Sequence, residues 1–137
     1  MDLDSSAFVA DPGLIRVLCR LATPVDCGED RGLFHQGDEP TGFYILHSGE
    51  ATMVLEDARG ATVARIRLAP GSVLGLPAVL SNAAHFLTAA AKKGAKVSYL
   101  ARDDFAKLMD EEPIQALTTQ QDFAAEVSAV RLAMSRS

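Results

Sequence analysis

The chain has 137 residues, 48% apolar and 23% charged, which suits one hydrophobic core and is too apolar for a disordered chain. Its formal net charge of −5 argues against the basic stripe of a nucleic-acid-binding surface. Met1 to Ala10 has neither the basic start nor the apolar stretch of a secretory signal, so a cytoplasmic location is expected.

In chain order, Asp11-Pro12 starts a short helix, with proline suited to the first turn. Leu14, Ile15, Leu18 and Leu21 recur at helical spacing, and Thr23-Pro24 ends it. Cys19 and Cys27 have seven residues between them, which fits no metal spacing, and reduced thiols are expected.

From about residue 24 to 101 the pattern becomes short apolar runs punctuated by glycine. Phe43, Ile45 and His47 alternate with Tyr44, Leu46 and Ser48; Ala51, Met53 and Leu55 alternate with Thr52, Val54 and Glu56. Asp57-Ala58-Arg59-Gly60 reads as a hairpin turn, with Ala61 to Leu68 returning. Leu68 to Ala91 carries no acidic residue, lysine or arginine, but Pro70, Gly71, Gly75 and Pro77 break it, so no membrane span is expected. Many short strands at this spacing predict a barrel or jelly roll.

Two helices are expected over about 102–135. Asp103 and Asp104 favour the first N-terminus, and Phe105, Leu108 and Met109 form its apolar face. Pro113 opens the second, where Ala116, Gln120, Phe123, Val127, Val130 and Met134 form a narrow stripe. The stripe packs either on its own barrel or on a second copy of the chain; for a homodimer, Phe123, Val127, Val130 and Met134 are the candidate contacts. The expectation is one α+β domain over 1–137: a double-stranded β-helix (jelly-roll) barrel with a short N-terminal helix and two C-terminal helices.

The run Leu33-Phe34-His35-Gln36-Gly37-Asp38-Glu39-Pro40, then Phe43-Tyr44-Ile45-Leu46 and Ser48-Gly49-Glu50, resembles the cyclic nucleotide-binding domain of the Crp/Fnr regulators. Leu68-Ala69-Pro70-Gly71, Gly75 and Arg102-Asp103-Asp104-Phe105 follow in the family's order, so the resemblance spans roughly residues 14 to 134. It implies a signal-transduction domain that binds a small ligand. It also implies a phosphate-binding cassette, in which a glycine turn leads into a short helix whose free N–H groups receive the cyclic phosphate. A glutamate after the glycine would accept from the ribose hydroxyl, and a later arginine would pair with the phosphate.

The matching candidates are Gly75, Leu76, Pro77, Ala78, His85, Phe86, Leu87 and Thr88. Leu76 takes the glutamate's place, and the arginine's falls at His85 or Phe86. Losing an arginine–phosphate pair costs about 2–5 kcal/mol by analogy with buried charge pairs. Leu76 leaves a ribose hydroxyl unpaired, and Pro77 lacks an N–H to donate. Three readings follow, in this order: a stand-alone sensor for a non-standard, less charged small ligand; a ligand-free interaction or dimerisation module; cyclic nucleotide binding through an atypical cassette using His85 and Lys92. No cofactor and no metal is expected. The chain stops at Ser137, where the family's helix-turn-helix would begin, so either a protein partner carries any regulatory output or the sequence is a fragment. No Gly-x-Ser-x-Gly elbow, P-loop or His-x-His pair is present, and an enzyme is not expected.

Overall fold

The structure, a computed structural model, describes residues 2–3 and 12–111. Its strands are β1 (Asp2–Leu3), β2 (Thr23–Val25), β3 (Arg31–Phe34), β4 (Gly42–Ser48), β5 (Ala51–Glu56), β6 (Thr62–Leu68), β7 (Val73–Leu74), β8 (Thr88–Ala91) and β9 (Lys96–Ala101). Its helices are α1 (Pro12–Leu18), α2 (Leu76–Ser81) and α3 (Arg102–Glu111). One sheet has the order β1-β6-β5-β8-β3 and the other β2-β9-β4-β7. The β1–β6 pair is parallel and the remaining pairs are antiparallel. This is the expected jelly roll. The candidate dimer residues Phe123, Val127, Val130 and Met134 lie outside the described residues.

Two apolar clusters hold it together. Between the sheets, Met53, Leu55, Ile66, Ala89 and Ala91 of the larger sheet meet Leu46, Leu74 and Val97 of the smaller. On the far side of the smaller sheet, Leu18 of α1, Leu76 and Val79 of α2, and Phe105 and Leu108 of α3 pack on Phe43, Ile45 and Leu100. Strand β4 is therefore covered on both sides. Phe43, Ile45 and Leu46 are all fully buried, as their continuous apolar run requires, and His47 at the strand's end is exposed.

The first helix is shorter than its periodicity predicts. It ends at Leu18, Leu21 is 40% exposed, and Thr23–Val25 pairs with β9. Pro24 is tolerated there because β2 is an edge strand. The Asp57–Gly60 turn forms as expected: Asp57 Oδ1 accepts from the N–H groups of Arg59 at 2.8 Å and Ala61 at 3.0 Å.

Gly49, between β4 and β5, has φ +85°, and a Cβ there would lie 2.7 Å from the Ala95 Cα. Gly60 shares the positive φ, but a Cβ would meet nothing. In urea unfolding, Gly60→Ala is expected to lose about 1–2 kcal/mol from backbone strain alone. Gly49→Ala is expected to lose about 2–4 kcal/mol, because the clash adds to the strain. Equal losses at the two positions would contradict the close approach of Gly49 to Ala95.

Candidate functional site

Two segments distant in sequence build the site. At the end of β3, the chain turns through His35–Asp38, where Gly37 has φ +93° and the His35 N–H donates to Asp38 Oδ2 at 3.0 Å. The second segment leaves α2 at Asn82, in the left-handed conformation, and runs to β8. The two are zipped together: the His85 N–H donates to the Asp38 carbonyl and the Gly37 N–H to the His85 carbonyl, both at 2.9 Å. Arg102, the first residue of α3, donates to Asn82 Oδ1 and fastens the end of α2.

The candidate cassette residues divide into two groups. Gly75 makes the turn into α2 with φ 90° and ψ 5°. Leu76 and Ala78 are both 1% exposed and face protein, so the six-residue α2 is a packing helix at these positions. Pro77 stands in its first turn, where its missing N–H removes one donor. Leu87 belongs to the core between the sheets.

His85 occupies the space over the glycine turn. Its ring stacks on Phe34 with centroids 3.9 Å apart and planes 15° apart. A Cβ on Gly75 would lie 3.0 Å from both His85 Cε1 and Phe34 Cε2, so the two rings rest on the bare Gly75 backbone. His85 is 5% exposed. Burial pushes its imidazole below the ordinary value of 6.5, and the charge of Asp38 opposes that shift by less.

Beside the stack lies a cavity of about 630 Å³. Ala83, Ala84, His85 and Phe86 form one wall, and Gln36 and Gly37 a second. Leu55, Glu56, Asp57 and Val63, from the β5–β6 hairpin, complete it. None of these residues is a lysine or arginine, and two are acidic. Polar bonds fix the wall. The Gln36 side chain bridges the Glu56 backbone, accepting from its N–H at 2.9 Å and donating to its carbonyl at 3.1 Å. Thr88 Oγ1 accepts from the Gln36 N–H and donates to Glu56 Oε1, both at 2.9 Å.

The family model described as cyclic nucleotide-binding domain matches residues 28–112. The chain belongs to that family. No curated protein sequence matches this cyclic nucleotide-binding domain. Among solved structures it is similar to the catabolite activator protein of Thermus thermophilus, at 21% identity and a TM-score of 0.67, over 92% of this chain and 57% of that one. It is similar to a protein of a cyclic-GMP-dependent signalling pathway that regulates bacterial phytopathogenesis, at 20% identity and a TM-score of 0.75, over 88% and 95% of the two chains. A cyclic nucleotide-binding-like protein from Brucella abortus matches at 25% identity and a TM-score of 0.58, over 73% of this domain and 85% of that chain. The domain thus spans little more than half of the Thermus protein, and these likenesses are of fold.

Of the eight cassette candidates, only His85 and Phe86 line the cavity, with Thr88 behind Glu56. Gln36, Glu56 and Asp57 also line it, and none is a cassette candidate. Gln36 lies within the run that carries the family resemblance, Glu56 within an alternating strand and Asp57 within a hairpin turn, so no local signal joined them. Nor does the structure pair Lys92 with His85: the whole of β8, four residues or about 13 Å of strand, separates them.

The lowered pKa of His85 fixes a sign. The unfolded chain takes up the His85 proton as pH falls through about 6.5, while the folded chain resists until lower pH. Stability from this residue is therefore complete above that value and lost as pH falls below it. His85→Phe keeps an aromatic ring on Phe34 and removes the titration. Thermal unfolding from pH 7.5 to 5 should show a smaller fall in Tm for the variant than for the wild type; parallel curves would contradict the buried neutral imidazole.

Proposed function

We propose that this domain is a sensor that takes a small, non-nucleotide ligand in the cavity between the Gly37 turn and the His85 segment. The observation that carries this reading is the His85–Phe34 stack seated on Gly75. A cyclic phosphate over that turn would have to displace two packed rings. It would find no guanidinium, because the family's arginine place falls at His85 or Phe86, and it would meet Leu76, which is turned into the core, where the family has a glutamate. The neighbouring cavity, by contrast, is open and has the size typical of small-molecule sites. Its wall of small and apolar side chains with a few fixed polar groups is the composition such sites use.

The filled turn also supports a second reading, a ligand-free interaction module in which the stack is packing alone. Ligand-observed NMR with a fragment library, run beside cyclic AMP and cyclic GMP, separates the two. Fragments are expected to bind the wild type and to be lost in Ala84→Trp, which fills the cavity from its wall, while neither cyclic nucleotide binds at about 1 mM. Saturation by either nucleotide at about 100 µM or below would overturn the proposal. A library without a single binder would favour the interaction module.

A further inference from the structure

The chemistry of the cavity wall specifies a ligand class beyond "small and non-nucleotide", and it rests on that reading of the cavity. We propose that the cavity takes a small organic cation, a primary ammonium carried on an apolar body, with the Glu56 carboxylate as its counter-ion.

Two independent features point to such a ligand. The first is charge. Glu56 and Asp57 both line the cavity, and no cation lines it with them. Asp57 spends one oxygen on the N–H groups of Arg59 and Ala61. Glu56 receives the Thr88 hydroxyl on Oε1, with the exposed His35 ring 3.7 Å from the same oxygen. No described residue donates to Oε2. Gln36 holds the Glu56 backbone by both its N–H and its carbonyl, so this carboxylate is preorganised rather than trailing in solvent.

The second feature is His85. It is 95% buried and lines the cavity, yet among the described residues no hydrogen bond reaches either ring nitrogen. Buried polar side chains are normally satisfied, and an unsatisfied one stores a cost that a ligand can relieve. Being neutral, the imidazole offers a lone pair to a donor and does not repel a cation. An ammonium has three donors and no acceptor, so it matches a carboxylate and an imidazole lone pair together. Leu55, Val63 and Phe86 supply the apolar surface for its body. An anion finds no cationic side chain among the lining residues and meets two negative charges.

The test uses the full chain and three probes of one shape: hexylamine, hexanol and hexanoate, titrated at pH 7.5 by calorimetry. The amine is expected to bind about tenfold tighter than either of the others. Glu56→Gln retains an oxygen for the Thr88 hydroxyl, and it should weaken the amine about tenfold while leaving hexanol unchanged. Hexanol or hexanoate binding as tightly as the amine would overturn the cation inference and leave the cavity standing as a ligand site. Binding of none of the three to the wild type would overturn the inference and count against the cavity itself.

Discussion

The stack of His85 on Phe34, resting on the backbone of Gly75, is the contact on which the arrangement of this site depends. It joins three parts of the chain: the end of β3, the turn into α2 and the irregular segment before β8. A side chain at Gly75 would push both rings away, and a charged His85 would be drawn toward water. Aromatic stacking of this kind is worth about 0.5–1.5 kcal/mol beyond the area it buries. That is modest. Its consequence is positional, because the rings occupy the volume over the Gly75 turn.

The rest of the fold supports the same outcome. A cassette helix that receives a phosphate must present its N-terminal N–H groups to an open pocket. Here α2 begins with a leucine turned into the core and a proline with no N–H, and Val79 packs with Phe43, Phe105 and Leu108. Arg102, which could have served as a free cation, is spent on the Asn82 cap at the other end of the helix. Helix α2 is part of the packing on the outer face of β4.

Polarity has moved rather than vanished. The hydrogen-bonded group of Gln36, Glu56 and Thr88 ties the β3 turn, the end of β5 and the start of β8 into one wall. Satisfied polar networks of this kind specify geometry more than they add stability. The wall is hydrogen-bonded, acidic and next to a buried imidazole, the reverse of the cationic, donor-rich surface a phosphate needs.

The jelly roll and the hairpin at Asp57–Gly60 were legible in the sequence. Glycine at forced turns and period-two apolar runs are local properties, and each carries its physical reason within a few residues. The early end of α1 was not legible, because a tertiary contact decided it: pairing of Thr23–Val25 with β9. The cavity belongs to the same class. Gln36, Glu56 and His85 are up to 49 residues apart, and nothing in the spacing of a chain predicts which side chains a barrel mouth will gather. What can be read from the sequence alone is that Leu68 to Ala91, the stretch that leads through Gly75 to β8, holds no lysine or arginine. Which side chains meet around the cavity is set by the fold, because stacking and hydrogen bonding are settled by distance in space rather than by order along the chain.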